Sequence, residues 1–432
     1  MEAFAEALCG DEMIDLDRID LTPPDPNETE ITILKDEPNR FDSDLSAFDH
    51  FLVGAAMKGA SDINISADLR MRVQLHGDQR LATKRRLLIT EVQAMLAHLW
   101  SANDAMSLVS AGRPLDFSYE KKIDRKRSQR FRVNATGEQR FGTNGVQITL
   151  RALPDTTPTL DDVGLEDELR DHLEPASGII VVAGATGHGK STTMAAMTRS
   201  HLENRQRSRK IVDLQAPIEY TFRDINTDAA DVASFISQSE IGVGRNIPTF
   251  ALGVRAAMRR APAVINVGES RDRESMEACI EACLTGHLVN TTTHAGSIAE
   301  ALRRMAFLFP PEEQEARSFD LMTSLNLIIW QRLVKTADGK GRVALREYLV
   351  FDQSVRDWFL SVPPLDWVNV VKQIFSESCS NPNLVARTMT QSAEELVQRR
   401  IVKAEDVAGI LRAGIGFVGR SSCDKQRQRT IS

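Results

Sequence analysis

The stretch "GIIVVAGATGHGKSTTMAAMTRSHLE", residues 178–203, decides the fold. A short apolar run rich in β-branched residues, a glycine-rich turn and a longer helical pattern follow one another, which predicts strand, loop and helix in that order. Within the turn, Gly184, Gly189, Lys190 and Ser191 fit G-x-x-x-x-G-K-[ST]. Glycines let backbone N–H groups converge on phosphate oxygens without Cβ interference, and the start of the helix adds its partial positive charge at the same point. Lys190 then reaches the β- and γ-phosphates and Ser191 ligates Mg²⁺. His188, inside the loop, reads as a spacer.

Holding a nucleotide leaves open what is done with it. "DLQAPIEY" (213–220) and "AVINVGE" (263–269) place Glu219 and Glu269 at the carboxyl ends of strands, the edge where open α/β sheets bind ligands. One carboxylate can hold the Mg²⁺ shell while the other orients or deprotonates an attacking water. Each is equally readable as a solvated loop charge. "TGHLVNTTTH" (285–294) sets His287 before a strand and His294 after it, the second where a side chain can sense a γ-phosphate; a histidine in either place is also a common structural residue.

Around this centre the chain divides. Residues 1–40 carry twelve acidic and three basic side chains around "TPPDPNE", and are expected to form a mobile acidic lead. Residues 41–153 begin with an amphipathic helix and continue as alternating strands, "INISA", "MRVQLHG", "PLDFSYE", "FRVNATGEQR" and "VQITLRAL", which predicts an α+β domain. "PDTTPTLDDVG" opens a linker over 154–166. Over 167–360, the apolar strands "GIIVVAG", "RKIVDLQ", "APAVINVGE" and "HLVNTTTH" alternate with helical patterns, which predicts a parallel sheet with covering helices. Residues 361–432 read as a helical segment with a polar tail.

Composition bounds the rest. The 432 residues, 42% of them hydrophobic, suffice for two or three domains with real cores. Fifty-three basic against sixty acidic residues give a net charge of −7, and aromatics make up 6%, so no specific nucleic-acid partner is expected. No apolar run approaches the roughly 20 residues of a spanning helix, and the acidic N-terminus lacks the pattern of a secretory signal. Five scattered cysteines read as reduced thiols; Cys279 and Cys283 have no second ligand pair for a metal.

Four motifs in order, "GATGHGKST", "APIEY", "FALGVRAAMRRAPAVINVGESRD" and "LTGHLVNTTTHAGS", resemble those of the type II/type IV secretion ATPase family, the motors of type IV pili, type II secretion and conjugation-related type IV secretion. "GASDINI", "DFSYE" and "RFRVN" extend the resemblance into the first domain, so that it covers roughly residues 45–360. Within the family, the chain's length, the absence of a four-cysteine zinc module and the "VRDWF" stretch resemble the retraction-type pilus ATPases and, more closely, the type IVB secretion and conjugal-transfer ATPases. The resemblance implies an α/β fold with a RecA-like P-loop core behind a PAS-like α+β domain. It implies a phosphate loop from Gly184 to Thr192, with Thr186, Gly187 and His188 among its members. By the same comparison, Glu219 is the catalytic base, Glu269 the Walker B glutamate beside Mg²⁺, His294 the His-box sensor, and Arg255 part of the segment before Walker B. Arg132 and Arg140 lie where the family offers arginines to the nucleotide, although ordinary surface charge explains them equally well. The implied cofactors are ATP and Mg²⁺. The implied partners are five further copies of the chain and an inner-membrane secretion or conjugation platform, with the protein cytoplasmic and peripherally membrane-associated.

Three departures stand out. Gln215 and Ala216 occupy places where the family carries an acidic pair, Asn64 replaces a histidine, and Asn266 interrupts the apolar strand before Glu269. The basic turn "KKIDRKRSQR" (121–130) suits acidic lipid, a partner, the next subunit, or plain solvent. Two rivals remain at this level: a RecA-like nucleic-acid translocase or helicase, and a nucleotide-gated scaffold that does not hydrolyse.

Overall fold

The computed structural model describes residues 13–25, 28–75, 77–125, 127–140, 143–225, 233–242, 244–339 and 341–415. Cys9, Cys423 and the basic C-terminal tail lie outside them. The chain forms two units, Met1–Thr156 with Ala216–Thr221, and Thr157–Gln215 with Phe222–Ser432.

The first unit runs α1 (Leu45–Met57), β1 (Asp62–Ser66), β2 (Arg72–Leu75), β3 (Asp78–Leu81), α2 (Ile89–Trp100), α3 (Ala105–Ser110), β4 (Leu115–Lys122), β5 (Ser128–Arg140) and β6 (Thr143–Leu153). Its six strands form an antiparallel sheet in the order β3-β2-β1-β6-β5-β4. The strands follow the period-two pattern: Ile63, Ile65, Val73, Phe131, Val133 and Ile148 line one core with α1 and α2.

Two expectations change here. α1 is not amphipathic: every residue from Ala47 to Ala55 is buried. A helix buried all round needs cover on every side, and the acidic lead supplies part of it. Ile14, Ile19, Ile31, Ile33 and Leu34 are all buried, and Gly54 lies so close that a Cβ there would stand 2.9 Å from the Ile19 side chain and 3.0 Å from that of Ile33. The same stretch caps the open edge of the sheet, with Ile31 N–H donating to Leu81 O and Leu81 N–H to Thr29 O, both at 2.9 Å. Within residues 13–25 and 28–34 the mobile lead is thus a packed belt; residues 1–12 lie outside the described residues.

The second unit runs α4 (Asp167–Arg170), β7 (Gly178–Ala183), α5 (Lys190–Glu203), β8 (Lys210–Gln215), β9 (Phe235–Glu240), α6 (Phe250–Met258), β10 (Val264–Val267), α7 (Arg273–Leu284), β11 (Leu288–Thr293), α8 (Ile298–Ala306), α9 (Pro311–Ser324), β12 (Leu325–Lys335), β13 (Arg342–Val350), α10 (Gln353–Leu360), α11 (Trp367–Ser378), β14 (Ala386–Arg387), α12 (Met389–Gln398) and α13 (Ala408–Ile415). The sheet order is β14-β13-β12-β7-β11-β10-β8-β9. β12, β7, β11, β10, β8 and β9 are mutually parallel, while at one edge β13 lies antiparallel to β12 and β14 antiparallel to β13. β7 and β11 are buried along their whole length, which is why they read as unbroken runs without alternation.

Side chains capture the helix starts: Asp272 accepts from Ser275 N–H and Asp352 from Val355 N–H, both at 2.8 Å. No structural boundary falls at residue 360. Trp367, Val370, Val371 and Ile374 of α11 belong to the same core as β7, β8 and β10, because the outer faces of α8 to α10 would otherwise stay bare. Nor is 157–166 a free linker within this unit, since Thr157 and Leu165 are buried. Among the described residues no helix is long and apolar enough to cross a membrane.

Candidate active site

The loop after β7 has the geometry its glycines predict. Gly184, Gly187 and Gly189 sit at φ +153°, +79° and +76°, where a side chain is strained. At Gly184 a Cβ would also lie 2.6 Å from Gln331 O, so the loop passes β12 with no room to spare. Ala185, Thr186 and Gly187 form an exposed crown, while His188 to Thr192 are half-buried as α5 begins. The Lys190 ammonium donates to Gly184 O (2.9 Å) and Ala185 O (3.1 Å), folding back over the loop.

This cradle fits a nucleotide's phosphates: an ammonium, a glycine bend and the N-terminus of a fourteen-residue helix meet at one point. Ser191 in the first turn of α5 and Glu269 beyond β10 offer the hard oxygen donors Mg²⁺ prefers.

His188 is more than a spacer. Its Nδ1 accepts the Leu333 N–H at 3.0 Å, and its carbonyl accepts from Gln331 Nε2 at 2.7 Å. Burial, with Arg332, Lys190 and Arg342 nearby, holds its pKa below the usual histidine range, which keeps Nδ1 free to accept. Sequence reasoning missed Gln331 altogether. The signal was a lone amide in the apolar run "LNLIIWQRLV", but its partners in the loop and α5 lie more than a hundred residues away in sequence.

Glu269 faces His294, with Oε1 3.6 Å from Nε2. Burial and the Lys190 charge, aided by Arg304, lower the His294 pKa against the opposing pull of Glu269. The ring is therefore neutral near pH 7, a polar neighbour of the loop rather than a second cation.

Beneath the site, the Asn266 departure has a structural reason. Asp213, Asn266 and Asn290 stand in register on β8, β10 and β11. Asn266 Nδ2 donates to Thr198 Oγ1 of α5 (2.8 Å), and Asn266 Oδ1 accepts from Asn290 Nδ2 (3.1 Å). Gln215, part of another departure, turns its amide down onto the Asp213 carboxyl (2.7 Å), which also accepts from Gln238 (2.8 Å); burial raises the Asp213 pKa. Replacing Asn266 by leucine strands the buried Asn290 amide and is expected to cost about 1–3 kcal/mol, measured as a shift of the urea unfolding midpoint.

Glu219 belongs to the other unit, in the segment Ala216–Thr221 that leaves β8. There Arg130, only 7% exposed, forks onto two consecutive carbonyls, Ile218 O at 2.6 Å and Glu219 O at 3.1 Å. Arg132 stands on the same strand, paired with Asp116 (3.2 Å) and 3.9 Å from the Glu219 carboxylate. The sequence directed attention to Arg132 and Arg140, whereas Arg130 holds the backbone. The Arg140 side chain lies outside the described residues. Arg255 projects from the exposed face of α6 towards Glu281 of α7 (3.9 Å). Cys279 and Cys283 are buried thiols; burial pushes Cys279 up to about 12, and no metal-binding group of three or more His, Cys, Asp or Glu side chains occurs among the described residues.

A parallel α/β sheet of RecA-like order with a complete phosphate loop at the tip of β7 defines a P-loop ATPase. The chain matches the family model "Type II/IV secretion system protein" over residues 45–409 and belongs to that family. Its structure is similar to that of the Legionella pneumophila ATPase DotB, at 36% identity and a TM-score of 0.76, covering 88% of this chain and 98% of that one. It is also similar to the pilus retraction motor PilT with bound ADP, at 30% identity and a TM-score of 0.68, covering 82% and 94%. A twitching motility protein of Neisseria gonorrhoeae is 31% identical over 77% of this chain and 82% of its own length.

Proposed function

We propose that the protein is the ATP-hydrolysing motor of a secretion, conjugation or pilus machine, working as a homohexamer at the cytoplasmic face of the inner membrane, and that its system is of the type IVB or conjugal-transfer kind. The observation that carries this reading is the likeness to DotB over nearly the whole of that chain, joined to an intact phosphate loop in this one.

In the proposed chemistry, backbone N–H groups of residues 184–192 and the Lys190 ammonium bind the β- and γ-phosphates of ATP. Ser191 and Glu269 hold Mg²⁺, which when bound neutralises charge on the phosphate oxygens. Glu219 takes the proton of the attacking water, and neutral His294 reports on the γ-phosphate through its neighbour Glu269. Arg132 and Arg140 supply positive charge to the nucleotide and Arg255 supports the segment ahead of Glu269. The partners are further copies of the chain and platform proteins of the membrane machine.

Electron microscopy of the purified chain with a non-hydrolysable ATP analogue tests the proposal. Rings of six support it; a monomer that stays monomeric with nucleotide overturns it. ATPase activity that rises steeply on adding DNA supports the translocase instead.

A further inference from the structure

We propose that Gln331 and Arg346 are positioning residues that fasten the phosphate loop to the chain segment entering the second unit, residues 157–166. The proposal rests on the reading of residues 184–192 as the ATP site.

Gln331 and Arg346 are each 1% exposed, and each is spent entirely on this connection. Gln331 Nε2 donates to the carbonyl of His188 inside the loop (2.7 Å), while its Oε1 accepts from Thr193 Oγ1 in the first turn of α5 (2.8 Å) and from Arg346 Nε (3.4 Å). One amide thus clasps both ends of the loop-to-helix junction. Arg346 continues the chain outward, donating to Val163 O and Gly164 O at 2.6 Å each and to Glu166 Oε2 at 3.4 Å.

A guanidinium withdrawn from water is tolerated only where its fork of donors is met, and the carbonyls of residues 163 and 164 are the acceptors that meet it. If that segment shifts, Arg346 either follows or is left buried without partners, and Gln331 is its only link to the loop among these contacts. A second tie joins the same parts. Thr157 N–H and Oγ1 donate to Asp224 (3.1 and 2.9 Å), and Asp224 pairs with Arg199 of α5 (3.2 Å), which also donates to Thr157 O. The entering segment therefore holds α5 at its first turn through Arg346 and Gln331, and again six residues further on through Arg199.

The test uses the full chain with ADP and magnesium. In the wild type, ADP is expected to slow hydrogen exchange at the Gly164 and Leu165 amides, which bond to Asp161 O and Leu160 O at 2.9 Å. Gln331→Glu keeps the shape but turns a donor into an anion facing the His188 carbonyl. It is expected to abolish that protection and raise the ADP Kd about tenfold, with the melting temperature held and kcat at saturating ATP changed less than the Kd. Arg346→Lys, which lacks the fork, is expected to do the same, and the double variant to be no worse than the poorer single one. Losses that multiply in the double variant, an unchanged Kd in Gln331→Glu, or no exchange response in the wild type overturn the relay. If Arg346→Lys does not fold, the wild-type exchange and Gln331→Glu decide the question. Lys190→Ala serves as the control. Its loss of ADP binding beside an unaffected Gln331→Glu overturns the relay alone, whereas ADP binding unchanged by Lys190→Ala overturns the phosphate-loop reading beneath it.

Discussion

Lys190→Ala is expected to reduce ATP affinity about 10- to 100-fold, the usual cost of losing one charge-assisted contact to a bound phosphate, while leaving the fold intact. The structure gives this residue two tasks. Its ammonium bridges the carbonyls of Gly184 and Ala185, which holds the glycine bend closed, and the same charge is the cation at the mouth of the loop. Alanine leaves the two carbonyls facing solvent and removes the charge. Since the side chain is half-buried and its partners can turn to water, stability should change by no more than about 1 kcal/mol. Titration with a fluorescent ADP analogue, alongside a melting curve, separates the two effects. Binding equal to the wild type in a folded Lys190→Ala protein would remove the basis of the proposed chemistry.

The second large effect concerns Glu219. Glu219→Gln preserves volume, and Arg130 holds the backbone carbonyls of residues 218 and 219, so the segment should keep its course. What is lost is the carboxylate proposed to take the proton, and kcat is expected to fall about 10²- to 10⁴-fold with ATP affinity changed less than about twofold. Arg130→Lys should give a weaker version of the same split, because one ammonium cannot fork onto two successive carbonyls; about tenfold in kcat is expected. Steady-state phosphate release over a range of ATP concentrations measures both. Full turnover in Glu219→Gln would exclude Glu219 as the base.

Much of this was legible in the sequence, for identifiable reasons. β7, β8, β10 and β11 announced themselves because central parallel strands are buried on both faces and so read as unbroken apolar runs. The phosphate loop was legible because its demands fall on neighbouring residues. β9, "FISQSE", was not: an edge strand with half-exposed polar residues lacks a hydrophobic signature. Gln331, Arg346 and Arg130 were missed because each bonds to backbone atoms remote in sequence, and a carbonyl acceptor leaves no mark on residue type. Gln215 and Asn266 were visible as departures, but their explanation, a polar layer shared by β8, β10, β11 and α5, exists only across strands. The belt over α1 was misjudged because eight isoleucines and leucines, five of them buried, dispersed among twelve acidic residues resemble a solvated tail unless α1 itself is recognised as buried on every side.

That belt bears on how the protein is handled. The composition of residues 1–40 invites trimming, yet a chain begun at residue 41 would uncover the outer side of α1 around Val53 and Gly54 and free the backbone of Leu81 at the sheet margin. Such a fragment would carry a sticky helix beside an unpaired strand, two features that favour clumping over solubility. Acidic charge here travels with the isoleucines that close the domain, so the segment shields an interior while keeping its own exterior wet.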